Sequence, residues 1–250
     1  MALLPGQEVQ DCGGTGGRRA SGRSGPAGPA ASPFERLADR YDRWFESPKG
    51  RRVFRVEAAC IRDLLIGVPR PWLEVGVGTG RFAAALDVDE GVDPSAPVLR
   101  YAARRGIRTR QGSAEDLPYA DRSFGAVLLI VTVCFLSRPA AALSECRRIL
   151  RPDGRLIVGL VPKDSPWGRA YARRGREGHP FYSNALFYTC REVIRAAEKA
   201  GFFPEDSRSC LFEDPAADVA RYRQPAETLV PGAGFAGLRF GLESGTGSRF

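Results

Sequence analysis

Glu74, Gly76, Gly78 and Gly80 are the residues whose types and spacing most directly imply chemistry. They lie in the run from Leu73 to Arg81, Leu-Glu-Val-Gly-Val-Gly-Thr-Gly-Arg, an apolar stretch that ends in a carboxylate and then sets a glycine at every second position. Lacking a Cβ, these glycines can take positive φ and let a ligand touch bare main chain. A helix starting near Arg81 would aim unpaired N–H groups at that ligand. A dinucleotide-binding G-x-G-x-x-G would need its third glycine at position 81, which is Arg81, so the pattern here is G-x-G-x-G.

Further clusters follow in order. Gly91-Val92-Asp93-Pro94-Ser95 puts a carboxylate at a strand tip, where it can accept both hydroxyls of a ribose or open a helix. Next comes Gly112-Ser113-Ala114-Glu115-Asp116-Leu117-Pro118, with Asp121-Arg122-Ser123-Phe124 after it, and then Thr132-Val133-Cys134-Phe135-Leu136. Glu145 and Arg148 stand at i, i+3 and read as a structural pair on a helix.

Taken together, these motifs resemble the S-adenosylmethionine-dependent methyltransferases of the Rossmann-like class. The stretch from Gly112 to Phe124 is similar to the G-x-A-E-x-L-P-[FY]-x-D-x-S-F-D run of the small-molecule subgroup that includes the ubiquinone and menaquinone biosynthetic enzymes. The resemblance spans about Phe34 to Phe240. It implies S-adenosylmethionine as cofactor, held by Glu74, Gly76, Val77, Gly78, Thr79 and Gly80. Asp93 is then expected on the ribose beside Pro94, Ala114 and Glu115 at the adenine, and Thr132 at the end of the fourth strand. Gly125 departs from the pattern, which has an aspartate there, and the departure touches stability more than binding. Tyr41, Trp44 and Phe45 are similar to a Y-D-x-W-F element that caps the cofactor in relatives, although an aromatic helix face packed on the core is the plain alternative.

The elements that must position these residues are read from periodicity. Residues from Phe34 to Phe45 and from Arg51 to Ile66 recur at helical spacing, an N-terminal helical cap over 33–66. Strands are expected at Trp72 to Val75, Gly91 to Asp93, Ile107 to Gln111, Gly125 to Val131 and Arg155 to Val161, with helices at Ala96 to Arg105, Ala140 to Leu150 and Cys190 to Ala200. This βαβα order predicts an α/β fold with a largely parallel sheet covered on both faces. Phe202 to Phe212 and Gly234 to Phe240 close it, and the resemblance makes it a Rossmann-like, mostly parallel sheet of seven strands. Residues 1–32, rich in Gly, Ala, Ser, Pro and Arg, are expected to be a disordered tail ahead of one methyltransferase domain over 33–250.

Composition bounds the rest. The formal charge is +8, and every basic residue except Lys49, Lys163 and Lys199 is arginine. No apolar run is long enough to span a bilayer, and the N-terminus lacks a signal-peptide pattern, so a cytoplasmic location is expected. Six scattered cysteines read as reduced thiols, and with His179 the only histidine no metal site is expected.

Methyl transfer needs positioning and water exclusion more than side-chain chemistry. No catalytic residue is assigned, and Tyr41, His179 and Tyr182 are the candidates, the last two in an expected acceptor-pocket insertion over 162–189. Cys134 reads as a buried thiol rather than a nucleophile. The expected partner is a small-molecule methyl acceptor, with no nucleic acid. The alternatives are an RNA methyltransferase, which the arginines at 104, 105, 108, 110, 173, 174 and 176 would serve, and a non-catalytic cofactor-binding protein.

Overall fold

The computed structural model describes residues 37–218 and 221–243. The tail over 1–32, the start of the cap at Phe34, and Cys12 lie outside them. Two helices come first, α1 (Ala38–Trp44) and α2 (Pro48–Leu64). Then follow β1 (Trp72–Val75), α3 (Arg81–Leu86), β2 (Glu90–Asp93), α4 (Ala96–Arg104), β3 (Arg108–Gln111) and β4 (Phe124–Ile130). A 3-10 turn over Val133–Phe135 leads to α5 (Pro139–Ile149), β5 (Leu150–Leu160), α6 (Pro166–Arg176), α7 (Cys190–Lys199), β6 (Phe202–Cys210) and β7 (Phe235–Leu242).

The strands form one seven-stranded sheet in the order β3-β2-β1-β4-β5-β7-β6. β1 to β5 pair in parallel, and β7 slots antiparallel between β5 and β6. This is the Rossmann-like methyltransferase fold. β4 shows why the sheet must be covered on both sides, since all seven of its residues are buried. Its side chains alternate with the pleat. Ala126, Leu128 and Ile130 join the layer that holds α2, α3 and α6, whereas Val127 and Leu129 join the layer of α5 and α7. The chain order reverses beside β1, and ligands in such sheets bind at the carboxyl ends of the strands around that point.

Two boundaries differ from the sequence reading. α5 stops at Ile149, and β5 begins at once at Leu150 rather than at Arg155. The N–H groups of Arg122 and Ser123 donate to the carbonyls of Arg148 and Ile149, and Phe124 pairs with Leu150, which draws this stretch into the sheet edge. β3 excludes Ile107, whose side chain is buried in the layer of α2 and α3.

Gly125 also has a physical account. A Cβ there would lie 1.9 Å from the carbonyl oxygen of Pro69, while the Gly125 N–H donates to Pro71 at 2.9 Å. The loop before β1 therefore occupies the space that an aspartate would fill, and glycine at this position favours stability. Gly125→Ala is expected to destabilise the fold by about 1–3 kcal/mol through overpacking, read as a lower urea midpoint with an unchanged slope.

Candidate functional site

The glycine loop leaves β1 at its carboxyl end. Gly76, Gly78 and Gly80 have φ of 73°, 53° and 78°, the left-handed region that glycine tolerates. Around Gly76 the space is full, because a Cβ would meet Thr132 Cγ2 at 2.4 Å. At Gly78 a Cβ would meet nothing within 4 Å. The loop thus packs against the end of β4 on one side and presents bare, open backbone on the other, a cradle that suits a ligand lying along it.

Two carboxylates hold this cradle. Asp93, at the tip of β2, accepts from the N–H of Gly78 at 3.0 Å and from that of Ser95 at 2.9 Å, tying the first loop to the second. Glu74 is 2% exposed, and one of its oxygens has no hydrogen-bond partner among the described residues. Burial pushes its carboxyl well above the ordinary range; the Ala83 N–H in the first turn of α3 opposes that rise, and the charge of Asp93 adds to it. The buried hydroxyl of Thr79 lies on the same loop and helps to lower the Asp42 carboxyl. A buried carboxylate oxygen without a partner among the described residues, beside an open glycine backbone, fits a hydrogen-bonding cofactor.

The other expected residues gather at the same strand ends. Val77 packs against Gly91, and the Pro94 carbonyl accepts from Gln111 Nε2 at 2.9 Å. Ala114 is buried, and Thr132 Oγ1 donates to the Ile130 carbonyl at 3.2 Å. Glu115 turns to its own surroundings, accepting from Ser113, from Ser137 Oγ at 2.9 Å and from the Arg138 N–H at 3.2 Å. Burial opposes ionisation of Glu115, but those bonds outweigh it and hold the carboxyl below the usual range. The pair of Glu145 and Arg148 reaches beyond its helix. Glu145 accepts from the Leu117 N–H at 2.8 Å, and Arg148 donates to the carbonyls of Leu117 and Tyr119, so α5 fixes the loop after β3.

Sequence reasoning missed the residues that hold the cap in place. Asp42 on α1 accepts from Arg81 Nε at 2.9 Å and Nη2 at 2.7 Å, and from Arg105 Nη2 at 2.8 Å. Arg105 also donates to the Thr79 carbonyl at 2.7 Å. Burial works against ionised Asp42, yet the two guanidinium groups hold its carboxyl below the ordinary value. Arg105 is therefore bound into the loop support, and Arg108 pairs with Glu90 at 3.2 Å.

Over the strand ends lies an aromatic cover. Tyr41 meets Phe45 edge-on at 5.2 Å and tilts against Phe181 at 5.7 Å. Tyr182 stacks on Tyr171 at 4.7 Å and on His179 at 4.4 Å. The segment that carries them is docked by the Leu186 N–H on the Cys134 carbonyl at 2.8 Å and by the Lys163 N–H on the Tyr188 carbonyl at 2.9 Å. Burial, with Arg174 and Arg40 nearby, lowers His179 to about 4, so its imidazole is neutral at pH 7. Desolvation pushes the Cys134 thiol up to about 12, which suits a thiol and not a thiolate. Beneath this cover Val131 has φ of 54°, a strained value for a β-branched residue, and its N–H donates to Gly159 at 2.7 Å. Glu57 on α2 is buried here as well, at 1% exposure. Its signal was in the sequence, since Val53, Glu57 and Ile61 stand at i, i+4 and i+8 on the apolar stripe.

Residues 73–158 match a family described as methyltransferase domain. An uncharacterized protein of Mycobacterium tuberculosis is 41% identical over 212 residues, 84% of this chain and 74% of its own. A crystal structure of a Thermotoga maritima S-adenosylmethionine-dependent methyltransferase, described as a possible histamine N-methyltransferase, superposes with a TM-score of 0.76 at 35% identity. That match covers 84% of this chain and 97% of the other. A demethylmenaquinone methyltransferase of the same organism is 29% identical over 143 residues, 53% of this chain and 62% of its own. Among the described residues no helix is long and apolar enough to cross a membrane, and no group of His, Cys, Asp or Glu is set to hold a metal ion.

Two outcomes test this geometry. Gly78→Ala puts a methyl into the open cradle at a cost of about 1–2 kcal/mol in backbone strain, and is expected to abolish S-adenosylhomocysteine binding in calorimetry while the circular dichroism spectrum stays native. Asp93→Ala should weaken that binding by about 1.5–3 kcal/mol. Glu74 adds a pH dependence. Its folded-state value is raised, so its contribution to stability is fully present below the unfolded value near 4.5 and is lost as pH rises towards the folded one. Glu74→Gln should flatten the fall of Tm with pH above that point in thermal melts of the cofactor-free protein.

Proposed function

The chain belongs to the S-adenosylmethionine-dependent methyltransferases, and we propose that it methylates a small molecule held between the glycine loop and the aromatic cover. S-adenosylmethionine is its cofactor and supplies a sulfonium methyl already activated for displacement. What the protein adds is placement. Glu74, Gly76, Val77, Gly78, Thr79 and Gly80 would hold the cofactor along the loop, with Asp93 and Pro94 at the ribose, Ala114 and Glu115 at the adenine, and Thr132 at the end of β4 beside Gly76. Such an arrangement leaves the methyl towards Tyr41 and the segment over 162–189.

The observation that carries this reading is the closed cover. Trp167, Tyr171, Phe181 and Tyr182 are each at most 2% exposed and lie over the strand ends, where they exclude water and limit the acceptor to something that fits between rings. Of the arginines that an RNA strand could use, Arg105 is turned inward onto Asp42 and the Thr79 carbonyl, and Glu90 and Glu177 stand beside the exposed Arg108, Arg110 and Arg173 and lower the positive potential there. The resemblance of the region over 112–124 to small-molecule enzymes supports the same side. So does the histamine assignment offered for the similar Thermotoga structure.

Tyr41 is the side chain placed to shape the transfer. Burial raises its phenol, and the charges of Glu57, Glu74 and Asp42 raise it further, so it remains a protonated hydroxyl and a neutral ring. A ring face there favours positive charge at the sulfur and at an incoming acceptor. Tyr41→Ala is expected to lower turnover by about tenfold or more while S-adenosylhomocysteine affinity changes little. Replacing Arg173 and Arg176 together by Gln should leave turnover unchanged. Release of S-adenosylhomocysteine, measured with a low-molecular-mass cell filtrate and separately with total RNA, decides the acceptor class. Activity confined to RNA and lost in the double variant would refute the small-molecule reading.

A further inference from the structure

The connection from β6 to β7, residues 211–234, is long for a loop and holds no helix or strand among the described residues. Segments of that kind usually carry a function. This one is fastened rather than loose. Ser209 Oγ donates to the Thr228 carbonyl at 2.7 Å and accepts from the Val230 N–H at 2.9 Å, and the Gly234 N–H donates to the Leu211 carbonyl at 2.8 Å. Leu211 is fully buried with φ of 60°, a strained value that fixes the direction in which Phe212 leaves the sheet. Between these fastenings lies an open cavity of about 370 Å³, lined by Arg223 and by the apolar Phe212, Ala226, Val230, Pro231 and Ala233. In the sheet, β4, β5 and β7 stand between β6 and the glycine loop on β1.

A single guanidinium stands in this apolar frame, and its surroundings set its direction. It lies over the Phe212 ring at 4.6 Å, a cation–π contact. Glu213 Oε1 accepts from Arg223 Nε at 3.2 Å and from the Arg223 backbone N–H at 3.4 Å, while Oε2 is buried. The carboxylate is thus turned into the protein, and the guanidinium is held by its Nε and by its face. Its two Nη groups meet no partner among the described residues, and the side chain is 68% exposed. An ion pair so open to water adds little stability. What it does is hold the Nη edge in one orientation at the cavity.

We propose that this cavity binds a small monocarboxylate with an apolar body, at a site of its own apart from the one for methyl transfer. Two parallel N–H groups on a fixed guanidinium match the two oxygens of a carboxylate. Phe212, Val230, Pro231 and the two alanines would take the hydrocarbon part, whose removal from water adds to the hold. An ammonium would be repelled by Arg223, and a neutral amide of the same shape would keep the apolar contact while losing the attraction of charge. The frame of the cavity also reaches the aromatic cover. Trp167 Nε1 donates to the Glu213 carbonyl at 2.8 Å, and its ring packs on Gly234, where a Cβ would lie 2.3 Å from Cδ1. The site therefore shares a wall with the cover.

The test uses the full chain and calorimetry, with hexanoate and phenylacetate titrated against hexanamide and phenylacetamide. At low salt at least one acid is expected to bind about tenfold or more tightly than its amide. Arg223→Gln, at an exposed side chain, should bring that acid down to the affinity of its amide. Ala226→Phe should fill the cavity and remove binding of acid and amide alike, which separates this site from the pocket for methyl transfer. Equal affinities for acid and amide, a preference that survives in Arg223→Gln, acid binding that survives in Ala226→Phe, or no binding of either acid would overturn the inference. If the circular dichroism spectrum of Ala226→Phe is not native, Val230→Trp takes its place with the same expected loss.

Discussion

The carboxylate of Asp42 is the contact on which the site most depends. α1 has seven residues, too few to be a stable helix by itself. It is fixed because Asp42 takes hydrogen bonds from both Arg81 and Arg105, one guanidinium immediately after the glycine loop and the other gripping that loop through the Thr79 carbonyl. Charge-assisted bonds to a half-buried carboxylate are among the stronger polar contacts available to a protein. The same pair of arginines therefore sets the shape of the glycine loop and the position of Tyr41, one residue before Asp42. Glycine loop and aromatic cover are tied to each other through these bonds.

The opposite flank is fastened in the same manner. Arg148 and Glu145 hold the backbone of the loop after β3, while Asp93 holds the backbone of the loop after β1. In each case a charged side chain on a regular element grips main-chain groups of a loop that has no ladder of its own. Buried backbone must find partners, and here side chains provide them. Loops so restrained can present fixed N–H groups to a ligand without reorganising when it arrives.

How much of this was legible follows from the range of each interaction. The strands and helices could be read because burial imposes a period of two or of 3.6 on neighbouring residues, and the glycines because a positive φ is a local demand. The early start of β5 could not, since it depends on pairing between Phe124 and Leu150 across the whole of α5. Gly125 looked like a loss when seen alone, and only the Pro69 carbonyl explains it. Asp42 finds partners 39 and 63 residues away, and nothing in a sequence assigns one arginine among so many. The run at 104, 105, 108 and 110 read as a basic cluster for the same reason. Glu57 differs, because an acid on the apolar stripe of an amphipathic helix is visible in the sequence.

A buried acid, Glu74, remains an unfavourable feature of the fold. Burial raises its carboxyl, so it costs stability as pH rises. An apolar residue of similar size would remove that cost, yet the acid stands on β1 directly ahead of the glycine loop. On the proposed reading the sulfonium of the cofactor would bring positive charge into that region, and the low dielectric that disfavours the ionised acid would strengthen the attraction once the cofactor had displaced water. Stability would then be lowered in the resting protein at the same position where binding restores it.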